Sequence, residues 1–164
     1  MDKAERDQLI ENYRTAFDEF LAALNLIPKE TWLFKPAPKE WSVHQVIVHL
    51  ADSETNSYLR ARRLVAEPGQ SLMGYDQDVW ADTLDYHNTN TDDALEATRI
   101  VRKLTYDLFK RLPDSVWSNT AVHPEYPEPY SFEKWLRTYA DHPRVHAGQI
   151  SDNYRLWKEQ KAKP

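Results

Sequence analysis

Four long stretches of this chain carry hydrophobic residues at intervals of three and four, and no β-branched run alternates with period two. Such a pattern can bury its apolar residues only as helices. In the first stretch Leu9, Ile10, Tyr13, Phe17, Phe20, Leu21 and Leu24 fall on one face, and Pro28 ends it. The segment Pro36–Ala37–Pro38 is extended, because a residue preceding proline avoids the α region. The second helix opens with Ser42 as N-cap, Gln45 at the third position of a capping box, and Trp41 placed to staple onto Val46. Its inward stripe is Val43, Val46, Ile47, Leu50 and Tyr58, and Pro68–Gly69 breaks it after about Glu67.

Residues 68 to 90 form a connection too long to lack structure in a compact domain, so a short helix is expected near Asp78–Asp85. The third long helix is expected from Thr91 to Leu112, with Ala97, Val101, Leu104, Leu108 and Leu112 inward and Pro113 ending it. Residues 118–130 hold three of the ten prolines and read as a rigid loop. The fourth helix opens at Ser131, with Tyr130 and Trp135 forming a second staple. The expectation is an all-α fold: a four-helix bundle spanning 1–164 as one domain, with a long crossover between the second and third long helices.

Composition removes several function classes. Glycine occurs only at positions 69, 74 and 148, where average usage of about 7% predicts roughly eleven, so no Gly-rich phosphate loop exists. Without cysteine there are no disulfides, thiolate zinc knuckles, iron–sulfur clusters or cysteine nucleophiles. A net charge of −5 argues against nucleic acid as partner. The one basic cluster, Arg60–Arg62–Arg63, reads as a solvated helix end. No apolar run approaches the ~18 residues of a membrane span. The opening MDKAERDQLIENY is charged from residue 2 and lacks a signal-peptide core, so a cytoplasmic location is expected.

The histidines carry the chemistry. Along the fourth helix Trp135, Tyr139, His142, His146, Gln149 and Asn153 fall in one narrow stripe, flanked by Phe132, Ile150 and Trp157. His142 and His146 thus stand one turn apart on the core-facing side. Buried imidazoles need partners for both nitrogens, and two charged ones stacked together would repel. A divalent cation resolves both problems by taking neutral imidazole nitrogens at ~2.0–2.1 Å. A third ligand must come from another helix, where His44 and His49 lie about 140° apart and cannot face one point. His44 sits in the first turn, where the helix dipole disfavours a cation; His49 lies deeper, beside Val46 and Leu50, which favours it.

Trp41–Ser42–Val43 followed by His49–Leu50, and Tyr139–Ala140–Asp141–His142 with His146 and Gln149, resemble the DinB-like (YfiT-like) metalloenzyme superfamily. The run Tyr75 to Ala81 and the segment His123–Pro124–Glu125 are also similar to members. The resemblance implies a four-helix bundle, often a homodimer, holding one divalent metal through His49, His142 and His146. Zinc and nickel lead as the metal, with iron or cobalt also suited to three imidazoles. Characterised members imply a metal-dependent S-transferase taking a low-molecular-weight thiol and a small-molecule acceptor, with metal-dependent hydrolysis as the alternative. A non-catalytic metal- or ligand-binding bundle is the reading of another class.

Two departures stand out. Many members have a glycine-containing turn after the HPE segment, whereas this chain has Tyr126–Pro127–Glu128–Pro129, and Pro143 lies between two of the ligands. Gln149 is expected to orient a ligand or bound water. His123 can project over the open coordination position, although a solvent-exposed loop histidine is the simpler account. Asp52 and Asp141 read as surface residues, and Tyr75 and Trp80 as anchors of the crossover.

Overall fold

The computed structural model describes residues 1–162. Four long helices make the bundle: α1 (Lys3–Leu24), α2 (Val43–Ala66), α4 (Thr91–Phe109) and α5 (Phe132–Lys161), with the short α3 (Gln77–Thr83) in the crossover. Their starts follow the capping chemistry. Asp2, Ser42, Asn90 and Ser131 each accept a backbone N–H of the first turn, and Ser42 with Gln45 completes a reciprocal capping box.

α1 packs on α5 and α2 on α4, and contacts of α2 with α5 and of α1 with α4 close the square. His44 at the start of α2 reaches the Thr89 carbonyl just before α4, while Arg62 near its end reaches Thr105 and Leu104. These neighbours therefore run parallel, and the chain must travel back along the bundle between them. The long crossover is the consequence. Among the described residues no helix is long and apolar enough to cross a membrane.

The core has two apolar clusters. One gathers Phe17, Phe20, Leu24, Val46, Ile47, Leu50 and Ile150; the other gathers Tyr13, Leu64, Phe109, Phe132, Trp135, Leu136 and Tyr139. On three of the long helices polar residues lie between the clusters: Glu54 on α2, Arg102 on α4, His142 and His146 on α5. The bundle thus carries a polar layer across its middle.

Three details differ from the sequence pattern. α4 stops at Phe109 rather than Leu112, because Arg111 and Leu112 bond three residues back in a tightened turn before Pro113. Its buried face is Ala94, Thr98, Arg102, Thr105 and Phe109, leaving Ile100 42% and Leu104 44% exposed. Arg102 turns inward to meet Glu54, and that pairing sets the rotation of the helix. The proline-rich segment contains β1 (Thr120–Ala121) paired antiparallel with β2 (Tyr130–Ser131), and Val122 bridges Ser71 of the crossover. Two-residue strands are too short to show an alternating pattern.

α3 overlaps the expected stretch, starting one residue before it, and is followed by Asp85 in the left-handed region (φ 50°) and a 3-10 turn over Tyr86–Asn88. Gly74 marks a close approach: a side chain there would meet the Pro124 ring at 2.6 Å, so the crossover lies directly against the loop before α5.

Candidate metal centre

The polar layer brings three histidines together. His49 from α2 and His142 and His146 from α5 each offer a nitrogen, and the three nitrogens lie within 4.8 Å of one another. Ring centroids are 4.7 Å apart for His142–His146, 4.9 Å for His49–His146 and 5.6 Å for His49–His142. His44 is elsewhere, its Nε2 against the Thr89 carbonyl and its ring 6.0 Å from His87.

Hydrogen bonds fix how the rings point. His142 Nδ1–H donates to Glu54 Oε1 at 3.0 Å, and His146 Nδ1–H donates to Gln149 Oε1 at 2.7 Å. Both Nε2 atoms are thereby left as acceptors, and they face each other at 3.1 Å. Two lone pairs cannot share that space without a cation or proton between them. Tetrahedral coordination at ~2.0–2.1 Å would set ligand nitrogens about 3.3 Å apart, close to this separation. His49 is 2% exposed and its Nδ1 has no hydrogen-bond partner. Burial, with the neighbouring histidines adding to it, lowers His49 to about 2, and burial lowers His146 to about 4, so both rings are neutral. Three imidazoles from two helices, with His49 buried and its Nδ1 unpartnered, fit a divalent metal ion.

Behind His142 stands a buried ion pair. Glu54, 1% exposed, accepts Arg102 Nη1 at 2.8 Å as well as His142. Burial alone would push its carboxyl up, but Arg102 and His142 outweigh it and hold the group below the usual carboxylate range. Arg102 also donates to the carbonyls of Tyr139 and Tyr13 and lies 3.8 Å from the Tyr13 ring centre. Ordinary hydrophobic periodicity hides both residues. Glu54 occupies a stripe running Leu50, Glu54, Ser57, Ala61, Leu64, where the spacing calls for an apolar side chain, and that mismatch is the signal that could have revealed it.

A chamber of about 810 Å³ reaches His142, walled by Ser53, Arg60, Gly74, Tyr75, Tyr139 and the Pro124–Glu125 loop. A smaller cleft of about 210 Å³ is lined by Trp41, His146 and Gln149. Gln77 and Asp78 at the start of α3 line both openings. Tyr75 is therefore part of the chamber as well as an anchor packed against Trp80, with ring centroids 4.5 Å apart. Burial holds the Tyr139 phenol protonated.

Several side chains sit differently from expectation. Arg60 is 8% exposed rather than a solvated helix end, since the crossover folds over it. His123 is buried, its Nδ1 accepting the Glu125 N–H and its ring packed on Tyr126 and Tyr130; it is neither in the histidine group nor on the chamber wall. Asp52 is half-buried and accepts the Tyr86 hydroxyl at 2.5 Å, because the 3-10 turn of the crossover covers that side of α2. Asp141 pairs with Arg144 at the surface.

Comparison with known proteins agrees with this architecture. The family model described as DinB superfamily matches residues 12–150. A protein of Oceanobacillus iheyensis, named by inference as a metal-dependent hydrolase, is 32% identical over 111 residues, covering 68% of this chain and 63% of its own length. YfiT of Bacillus subtilis, named the same way, is 28% identical over 112 residues with the same coverage, 68% and 63%. The chain thus spans less than two thirds of the length of these curated relatives. The solved structure of Bacillus subtilis YfiT, described as a four-helix bundle of unusual topology, superposes with a TM-score of 0.87 at 23% identity, over 96% of this chain and 90% of that one. A mycothiol-dependent maleylpyruvate isomerase superposes with a TM-score of 0.71 at 10% identity, over 88% of this chain and 60% of the other.

Proposed function

Because the chain belongs to the DinB superfamily, we propose that it is a metal-dependent enzyme that transfers a low-molecular-weight thiol to a small electrophile, with His49, His142 and His146 holding one divalent ion. The observation that carries this is the pair of Nε2 lone pairs facing each other at 3.1 Å beside an open chamber. Three imidazoles leave a coordination position free, and zinc or nickel suits them best, with iron or cobalt also accommodated. Such an ion supplies Lewis acidity that brings the pKa of a thiol or water toward neutrality. Glu54 and Gln149 hold the Nδ1–H groups, so the ring orientations are set before any ion or substrate arrives. In the transfer, a sulfur–carbon bond forms as the bond from carbon to its leaving group breaks, and the thiol proton goes to solvent. The chain has no cysteine, so the sulfur must come with the substrate.

Transfer is favoured over hydrolysis by two cavities, one reaching His142 and the other His146, which offer room for two substrates. Hydrolysis is the second reading, supported by the names of the curated relatives. Purified protein should retain about one divalent ion per chain and accelerate, in a metal-dependent way, conjugation of a cellular thiol to chlorodinitrobenzene. Unchanged metal content in His142→Ala and His146→Ala would overturn the ligand assignment. If no thiol in a panel including cysteine, glutathione and mycothiol is conjugated faster than in buffer, transfer gives way to hydrolysis.

A homodimer belongs to the same reading. Ile100 and Leu104 of α4 are exposed, as is Leu59 of the neighbouring α2. Asp92, Asp93 and Glu96, with Arg99 paired to Glu96, leave the first half of α4 net acidic, while Lys103 and, just past the helix, Lys110 and Arg111, with Asp107 paired to both lysines, leave its end net basic. Two copies crossing antiparallel would match these charges. Sedimentation of wild type and Leu104→Lys should give a dimer and a monomer, respectively.

A further inference from the structure

Arg60 is a buried cation without an anion. The residue is 8% exposed, and its hydrogen bonds run to neutral oxygens only: Nε and Nη2 to the Met73 carbonyl at 3.1 and 2.6 Å, and Nη1 to the Tyr139 hydroxyl at 3.0 Å. The other buried guanidinium, Arg102, has Glu54 at 2.8 Å. Burying a charge without a counter-ion is costly, and a guanidinium is not relieved by losing its proton. Arg60 has five N–H donors and uses three, which leaves one on each Nη. Both Arg60 and Tyr139 line the chamber that reaches His142.

We propose that Arg60 is the docking point for a substrate carboxylate, so that the chamber takes a small carboxylate-bearing molecule with its reacting end toward the histidines. The inference rests on the enzymatic reading of that chamber and adds its substrate class. Arg60 has a wall position fixed by α2 and by the crossover backbone, so its free donors are aimed before the ligand arrives. A planar fork of N–H groups matches a carboxylate better than any other small anion except phosphate. The rim limits what the rest of the molecule can be. Asp76, Asp78 and Glu125 are exposed around the same chamber, and they would repel a second negative charge. The outer end of the substrate is therefore neutral or cationic, as in an amino acid.

The test uses a thioether that cannot react. S-Benzyl-L-cysteine, its methyl ester and its N-acetyl derivative are titrated calorimetrically into metal-free protein, so that no ligand is held through a cation. Wild type should bind the free amino acid at least about tenfold more tightly than the ester, the usual worth of a charge-assisted pair. The N-acetyl compound, which lacks the ammonium group, should bind a few-fold more weakly than the amino acid. Arg60→Gln should abolish the difference between acid and ester, while Arg60→Lys, which keeps the charge, should retain part of it. Melting curves of both variants confirm folding. Equal binding of acid and ester by wild type, a difference that survives Arg60→Gln while the variant is folded, or no binding of the acid at all would each overturn the proposal. Failure of the thiol-transfer reading would look different: no metal-dependent conjugation, with the preference for acid over ester intact.

Discussion

α5 presents one continuous stripe to the bundle, and its two halves do different work. In the first half Phe132, Trp135, Leu136, Tyr139 and Ala140 are almost fully buried among aromatic partners, including Tyr13, Phe109 and Trp117. One turn later the same stripe carries His142, His146 and Gln149, whose polar groups are held by hydrogen bonds rather than by close apolar packing. Helical periodicity treats both halves alike. The difference lies in what each half exchanges with its surroundings: the first removes apolar surface from water, and the second keeps lone pairs aimed at a shared point at the cost of burying them. Apolar burial is concentrated in one half and the histidine group in the other.

The largest effect should come from the aromatic half. Trp135 is fully buried and its indole N–H donates to the Ser57 carbonyl, so Trp135→Ala removes both a large ring and a partner of a buried carbonyl. Unfolding by urea should show a loss of about 3–5 kcal/mol. A loss below 1 kcal/mol would mean that the first half of α5 is not the stabilising one.

Next comes the residue that ties the halves together. Glu54→Gln keeps the shape but removes the charge facing Arg102, and should cost about 2–3 kcal/mol in metal-free protein. The same variant should bind zinc at least about tenfold more weakly, since His142 loses its carboxylate partner. A stability loss with unaltered zinc affinity would make the pair purely structural.

The fold was largely legible in the sequence and the site only partly so, for one physical reason. Apolar periodicity reports which residues leave water, so the four helices and the crossover could be read directly, and the caps Ser42 and Ser131 from their flanking residues. His142 and His146 were legible because histidines on a core-facing stripe contradict that rule. Glu54, Arg60 and Arg102 contradict it too, but charged side chains read as solvated when helix rotation is inferred from apolar neighbours alone. α4 shows the consequence: its apolar stripe suggested Ala97, Val101 and Leu104 inward, whereas the Glu54–Arg102 pair turns the helix so that Leu104 is exposed. On α2 the pairing leaves one trace, Glu54 on an apolar stripe, but nothing in α2 says which helix supplies the partner.

A smaller effect on stability is expected in the histidine group. His49 has an unpartnered buried Nδ1, so replacing it removes a polar atom that burial penalises as well as a ring that packs on Trp41. These contributions oppose each other, and His49→Ala should change the stability of the metal-free protein by no more than about 1 kcal/mol. Zinc retention should nevertheless be lost. Destabilisation as large as that of Trp135→Ala would place His49 with the packing residues and erase the contrast between the halves.

The boundary itself offers the subtlest test. Pro143 has no N–H, so the Tyr139 carbonyl four residues earlier lacks its usual helical donor; it accepts Arg102 Nη1 at 3.2 Å instead. Proline inside a helix ordinarily costs about 3 kcal/mol, but here the freed carbonyl is used to hold the guanidinium that holds Glu54 and, through it, His142. Pro143→Ala restores a donor that competes with Arg102 for the same oxygen. The helix gains and the Arg102 anchor loses, so stability should rise by no more than about 1 kcal/mol while zinc affinity falls a few-fold. A calorimetric zinc titration beside a urea melt separates the two consequences. If stability rises by the full proline penalty and zinc binding is untouched, Pro143 is only a tolerated break in α5. If zinc weakens while the fold barely changes, the proline is the point at which the packed half of the helix sets the geometry of the histidine half.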